Sequence, residues 1–316
     1  MLNHASHQLC LQAIDRAESL RIAASRPGGA LLIDAGVEMT GSLQAGLLMA
    51  SVCLGGAAEV SFTTEDADRL ASDIGVLVRT DDPLRACLGS QYAGWPVSVD
   101  QYFAMASGAM RMARGREEML EQLGLKETPQ RAAGVLESDR LPEPAVIEAL
   151  AQQCGLSADR LALIIAPSGS LAGSIQVIAR SVETALHKLH ALGFDVGTIF
   201  SAAGVAPLAP PARPDDTAGG IGRTNDAILY GGRVTLWVDC DQAAVDAVAE
   251  AVPSSASKDH GRPFAEIFKD YDYDFYKVDP HLFSPAVVTL INRRSGKTRR
   301  LISVTTAGLN RCGSTL

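Results

Sequence analysis

The pattern of apolar and polar positions is clearest between Leu161 and Leu192, LALIIAPSGSLAGSIQVIARSVETALHKLHAL. Leu161 to Ala166 is a short continuous apolar run, the pattern of a buried strand. Pro167 to Ser170 turns the chain with small residues, and a helix is predicted from about Ala172 to a stop at Gly193. At about 100° per residue, Ile175, Ile178, Val182, Ala185, Leu186, Leu189 and Leu192 share one face of it. Gln176, Arg180, Glu183, His187 and His190 form a second stripe, nearly opposite. The first face belongs to a core. The second is either a solvated surface or the wall of a cleft.

The same reading runs along the rest of the chain. Residues 5–26 predict a helix, and Ala30 to Asp34 a strand after a Pro-Gly-Gly turn. Gly55-Gly56 and Gly231-Gly232 each read as a hairpin turn between two strands. Ile74 to Arg79 is a strand, and Thr80 to Pro83 (TDDP) starts a helix that ends near Gly94. Pro96 to Val99 resumes an extended run. Residues 111–130 read as a solvated helix and connector. Ala132 to Glu137 is a strand, Pro142 to Cys154 a helix closed by Gly155, and residues 209–220 a loop. Residues 241–251 form a helix, and Tyr271, Tyr273 and Phe275 alternate as in a strand facing a core. A hairpin is predicted around Ser295-Gly296.

Two stretches echo each other: strand 74–79, helix, Gly94-Trp95, strand, then Phe103 and Ser107-Gly108; and strand 161–166, helix, Gly193-Phe194, strand, then Phe200 and Ala203-Gly204. The fold class expected is α+β. Two α+β domains, residues 1–130 and 131–316, or else two domains interleaved in sequence, are read as units related by an internal repeat; chance likeness between short strand-helix-strand units is the alternative.

Composition narrows the function classes. The chain has 316 residues, 47% of them hydrophobic and 20% charged, enough for a substantial core. The formal net charge of −8 disfavours nucleic-acid binding, which needs a basic surface. Arg293, Arg294, Lys297, Arg299 and Arg300 form the only basic run and read as a solvated strand-turn-strand. Cys10, Cys53, Cys87, Cys154, Cys240 and Cys312 are scattered without a CxxC and read mostly as small buried apolar residues of a reducing compartment. The N-terminus lacks an apolar signal region, and no apolar run reaches the roughly 18 residues that span a bilayer. A cytoplasmic location and no membrane partner are the expectations.

No metal is expected. His187 and His190 share a helix face but have no acidic or cysteine partner at ligand spacing. Asp270, Asp272 and Asp274 mimic the opening of a calcium loop, yet Phe275 stands where its glycine belongs and His281 where its glutamate belongs. No phosphate-binding glycine motif and no GxSxG nucleophile is present. Residues 166–173, APSGSLAG, make a small-residue loop before a helix. Such a loop can receive an anion or a ring edge, though a tight structural turn is the plainer reading. Arg180 and Glu183 remain. At i,i+3 they read as a helix-surface salt bridge from spacing alone. Against this, they follow a Gly/Ser turn at a strand's end, where α/β architectures tend to place sites.

The longer motifs resemble one family. GVEMTGSLQAGLLMASVCLGG, AGW followed by YFAMASG, IAPSGSLAGSIQVIARSVETALHKL, GRTNDAILYGG and SKDHGRPFAEIFKDYDYDFYKVDP are similar to methenyltetrahydromethanopterin cyclohydrolases, from about residue 8 to residue 305. The resemblance implies an enzyme that reversibly hydrolyses the methenyl bridge of a tetrahydromethanopterin-type pterin to the formyl derivative, in archaeal methane metabolism or, on the dephospho carrier, in bacterial methylotrophy and formaldehyde oxidation. It implies two α+β domains with a deep cleft, a homotrimer, and no cofactor, metal or prosthetic group. The family's catalytic Arg and Glu fall in ARSVETALHKL, at Arg180 and Glu183. His190 and the residues after about 305 lie outside the matched motifs.

The residue types suit that chemistry. A carboxylate at Glu183 accepts a proton from water and favours an amidinium-like cation, while Arg180 orients it. The small-residue loops 166–173, 104–109 and 203–206 would let a flat pterin approach the backbone. Ser168, Gly169, Gln176, Ser107, Gly108, Arg223, Thr224 and Asn225 are the candidate substrate contacts. Two alternatives stay open: a non-catalytic pterin-binding or carrier-channelling protein, and a cyclohydrolase acting on a folate-type carrier.

Overall fold

The computed structural model describes residues 1–65, 72–213 and 216–303. In chain order its helices are α1 (Leu2–Ile14), α2 (Ala17–Leu20), α3 (Leu43–Cys53), α4 (Met110–Arg114), α5 (Glu118–Gln122), α6 (Pro144–Gln153), α7 (Leu171–Ile178), α8 (Ser181–Ala191), α9 (Thr217–Gly231), α10 (Gln242–Val248) and α11 (Phe264–Asp270). Its strands are β1 (Ala23–Ser25), β2 (Leu31–Asp34), β3 (Glu59–Thr64), β4 (Ile74–Thr80), β5 (Trp95–Val99), β6 (Tyr102–Ser107), β7 (Ala132–Glu137), β8 (Leu161–Ala166), β9 (Ile199–Pro207), β10 (Arg233–Val238), β11 (Val287–Asn292) and β12 (Thr298–Ile302). The α+β expectation holds, with two mixed sheets. One compact unit comprises Met1–Ala58 and Arg85–Gln176, the other Glu59–Leu84 and Val177–Leu316. The chain passes between them three times, so neither unit is one continuous segment.

The first unit is built on the sheet β1-β2-β8-β7-β6-β5, in which β2, β8 and β7 run parallel. Strand β8 shows why its sequence reads as unbroken apolar. Leu161, Leu163 and Ile165 enter one core with Ile147 and Leu150 of α6. Ala162, Ile164 and Ala166 enter another with Cys10 of α1 and Met49 and Val52 of α3. Helices therefore cover both faces, and a strand with two covered faces has no polar side to show. Each buried Leu or Ile contributes about 1.5–3 kcal/mol.

The second unit is built on the sheet β12-β11-β10-β9-β4-β3, antiparallel except for β10 beside β11. Helix α8 packs on β9 and β10. A Cβ at Gly204 would lie 2.7 Å from both Ser181 Oγ and Val182 Cγ2, so glycine lets helix and sheet meet closely. Helices α9 and α11 share a separate cluster of Leu229, Tyr230, Phe264, Ile267 and Phe268.

Several expectations are corrected. Both Gly-Gly pairs lie between a helix and a strand, not between two strands. Gly55 and Gly56, at φ of 71° and 68°, end α3, and Gly232 follows α9. Left-handed φ serves a helix C-terminus as well as a hairpin, which accounts for Gly55-Gly56; Gly231 is the last residue of α9 and Gly232 leaves it extended, at φ −67°. The helix predicted over residues 5–26 stops at Ile14, and Ala23–Ser25 is strand; the left-handed Arg21 lies between. Residues 111–130 are not a plain solvated helix: Arg111 is fully buried, held by the carbonyls of Leu88 and Gly89 and by Glu117. Tyr271 to Phe275 is a turn with positive φ at Asp272 and Tyr273, and Tyr273 is exposed. The TDDP segment leads into a π-helical stretch, Leu84–Gln91. Cys312 lies outside the described residues. The two echoing stretches each leave a strand of one unit, pass through a helical segment and enter a strand of the other.

Candidate functional site

The first unit brings three of its candidate residues, Ser168, Gly169 and Gln176, to the carboxyl ends of its parallel strands. Glu137 is the last residue of β7 and pairs in register with Ala166, the last of β8. The turn after β8 carries Ser168, whose hydroxyl donates to Glu137 Oε2 at 2.9 Å. Gln176, on α7, donates through Nε2 to Glu137 Oε1 at 2.9 Å. Both donors are buried. One carboxylate thus joins the turn to the helix, and Gly169 lies in the turn they fix. Ser170 locks it from within, donating to the Pro167 carbonyl at 2.8 Å and accepting from the Gly173 amide at 3.1 Å. A Cβ at Gly173 would stand 1.9 Å from the Pro167 carbonyl oxygen, a clash that excludes any other residue without rearrangement.

Glu137 is absent from the sequence-based candidates. A signal existed: it is a carboxylate at the end of an apolar strand, AAGVLE, the position where open α/β sheets place ligands. Asp34 carries the same signal at the end of β2.

Ser107 and Gly108 belong elsewhere in this unit. Strand β6 runs antiparallel to β7, so Ser107 pairs with Val135 and the chain leaves in the direction away from Glu137. Both residues are buried, and Ser107 Oγ lies 3.2 Å from Cys53 Sγ. Gly108, at φ 94°, would bring a Cβ within 2.9 Å of the Gly134 backbone. Their smallness serves packing between strands. Residues 203–206 are likewise strand β9 beneath α8, not a loop open to a ring.

The second unit holds Arg180 and Glu183. The predicted helix over 172–193 is two helices, α7 and α8, separated at Ala179-Arg180; neither proline nor glycine marks the break. Arg180 caps α8, and its carbonyl accepts from the Thr184 amide at 2.8 Å and the Thr184 hydroxyl at 2.9 Å. Glu183 occupies the first turn of α8, where unpaired amide dipoles favour a negative charge. Arg180 and Glu183 are each only 6% exposed. That excludes the solvated salt bridge that their spacing alone suggests. The apolar stripe is buried from Ile175 to Leu189, and Gln176, Arg180 and Glu183 of the opposite stripe are buried too. Neither face of this stretch is a solvated surface at that point.

Arg223, Thr224 and Asn225 lie on α9, not in a β hairpin. Arg223 donates to the Pro211 carbonyl at 2.9 Å, Thr224 to the Gly220 carbonyl and Asn225 to the Ile221 carbonyl. The next residue, Asp226, accepts from the Phe264 amide at 2.8 Å. Burial pushes its carboxyl up to about 7, with Glu266 adding to the rise and the amide opposing it. His187 and His190 are half-buried, and among the described residues no group of three or more His, Cys, Asp or Glu side chains is arranged to hold a metal ion. The basic run forms the expected β11–β12 ribbon, with Arg293, Arg294 and Arg299 paired to Asp239, Asp241 and Asp246. No described helix is long and apolar enough to cross a membrane.

The family described as Cyclohydrolase (MCH) matches residues 1–311. A methenyltetrahydromethanopterin cyclohydrolase of Rhodopirellula baltica is 61% identical over 275 residues, 86% of this chain and 82% of that protein. One from Methylobacillus flagellatus is 43% identical over 94% of this chain and 90% of its own length. One from Methanosarcina barkeri is 37% identical over 94% of this chain and 93% of its own.

Proposed function

This chain belongs to the methenyltetrahydromethanopterin cyclohydrolase family, and we propose that it hydrolyses the methenyl bridge of a tetrahydromethanopterin-type pterin with Glu183 as general base. The observation that carries the assignment of the base is the burial of Arg180 and Glu183 on one turn of α8. A buried carboxylate and a buried guanidinium three residues apart are costly to maintain and bring no surface solubility, so a chemical role is the better account of them.

The substrate carbon bridges two ring nitrogens and shares a positive charge with them. Water adds to that carbon, forming a C–O bond, while Glu183 takes one of the water's protons. The carboxylate's charge also favours the cation before the attack. Glu183 then returns the proton to the leaving nitrogen as its C–N bond breaks. The hydroxyl oxygen forms the formyl C=O, and the hydroxyl proton is released. One proton therefore leaves per cation hydrolysed, and rising pH favours the formyl product. Arg180 orients the carboxylate. Ser168 and Gln176, both held by Glu137, are proposed substrate contacts, as are Arg223, Thr224 and Asn225 for the pterin or its tail. The reaction as written uses no metal or prosthetic group. The dephospho carrier, a cytoplasmic location and a homotrimeric assembly complete this reading.

The test is turnover of methenyl-tetrahydromethanopterin and its dephospho form, followed as loss of the methenyl absorbance, with methenyl-tetrahydrofolate alongside. Rapid loss with the methanopterin carriers alone supports the reading. Faster turnover of the folate would move the chain to a folate-type carrier. Tight binding without turnover would leave a carrier protein.

A further inference from the structure

The turn after β2 has a construction that the reaction as described does not use. Asp34 ends β2, is 5% exposed, and spends its whole carboxylate on four successive backbone amides. Oδ1 accepts from Gly36 at 3.0 Å and Val37 at 2.7 Å. Oδ2 accepts from Glu38 at 2.9 Å and Met39 at 3.0 Å. Four charge-assisted bonds to one buried group leave this turn little freedom. The turn also abuts the Ser168 loop. A Cβ at Gly36 would lie 2.6 Å from Ser170 Oγ, and one at Gly41 would lie 3.4 Å from Ala172 Cβ. Val37 packs on the core beneath. Glu38, between the anchored Val37 and Met39, is exposed, and its carboxylate has no hydrogen bond or ion pair with any described residue.

We infer that the Gly36–Met39 turn is a preset part of the pterin subsite, with Asp34 as its positioning residue and Glu38 as the carboxylate that takes the donor edge of the ring. This rests on the pterin substrate proposed above. The pyrimidinone edge of a pterin offers a ring N–H and an amino group side by side. A carboxylate accepts both in two parallel bonds, the geometry of a guanidinium–carboxylate fork. Strands β2 and β8 are parallel neighbours, so this turn and the Ser168 turn leave the same edge of the sheet, where open α/β sheets bind ligands. A rigid turn loses little freedom on binding, which explains why a buried aspartate is committed to holding an exposed segment.

The experiment measures tetrahydromethanopterin binding by fluorescence quenching for the wild type, Glu38→Gln and Asp34→Asn, with circular dichroism to check folding. Competition by 6-hydroxymethylpterin and by the matching lumazine, which carries oxygen in place of the amino group, reports on edge recognition. The expected result is affinity about tenfold weaker or more in Glu38→Gln, with kcat largely kept and the preference for pterin over lumazine lost. Asp34→Asn, with fewer acceptor sites for the four amides, should weaken binding and blur the same preference while remaining folded. Glu38→Gln with unchanged affinity and unchanged preference would overturn the inference while leaving the cyclohydrolase reading intact. A fall in kcat at constant affinity would also overturn it. A wild type that binds no tetrahydromethanopterin would sink the proposed function itself, and this inference with it.

Discussion

Lys188 Nζ donates to the backbone carbonyl of His281 at 2.9 Å and lies 3.3 Å from that residue's Nδ1. The contact ties the Pro280–Leu282 turn to α8, the helix whose first turn carries Glu183. Burial lowers the Lys188 ammonium to about 8, with Asp279 opposing the fall. Between about pH 8 and the ordinary lysine value the unfolded chain holds a proton that the folded chain has released. The cost of this buried ammonium is therefore fully present below pH 8 and relieved as pH rises through that window. Wild-type stability should rise relative to Lys188→Met between pH 7.5 and 10. Thermal unfolding of both proteins across that range checks it, and a difference that stays flat or moves the other way would refute the assignment.

Asp226 makes the opposite prediction. Its carboxyl is raised to about 7, so between about pH 4 and pH 7 the folded chain keeps a proton that the unfolded chain has lost. Its contribution to stability is greatest near pH 4 and is lost as pH rises through 7. Asp226→Asn keeps an oxygen for the Phe264 amide and removes the buried charge. At pH 8 the variant should be more stable than the wild type by up to about 4 kcal/mol, and the advantage should vanish near pH 4. Chemical denaturation at the two pH values measures it.

What the sequence disclosed follows from how local each signal is. Strand β8 and the glycine stop after α8 were legible because an apolar run and a left-handed cap are written within a few residues. Gly193, at φ 77°, stands where the stop was expected, and the Phe194 amide returns to the Leu189 carbonyl. Gly55-Gly56 misled because a left-handed glycine serves a helix end and a hairpin equally. Arg111 misled for another reason: a charged residue reads as solvated until distant carbonyls, at Leu88 and Gly89, are brought to it. Glu137 was missed on the same ground. Its partners Ser168 and Gln176 are 31 and 39 residues away, and only the parallel pairing of β7 with β8 unites them. The family motif supplied Arg180 and Glu183; spacing alone pointed to a surface pair.

Removing the Glu137 carboxylate should affect both stability and binding. Glu137→Ala takes away the acceptor of the Ser168 hydroxyl and one acceptor of the buried Gln176 amide. A loss of about 1–3 kcal/mol in unfolding free energy is expected, since buried donors then lose their partners. KM for the methenyl substrate should rise more than kcat falls, because Ser168 and Gln176 are the proposed contacts to the ring. Steady-state kinetics beside urea unfolding separates the two effects, and unchanged KM in a folded variant would remove Glu137 from the site.

The most direct test of the central claim is Glu183→Gln, assayed for turnover and for pterin binding together. The buried glutamine preserves shape and removes the base, so kcat should fall by roughly 10²–10⁴-fold while the pterin still binds. Turnover within a few-fold of the wild type would contradict the account and return Glu183 to a structural role on α8.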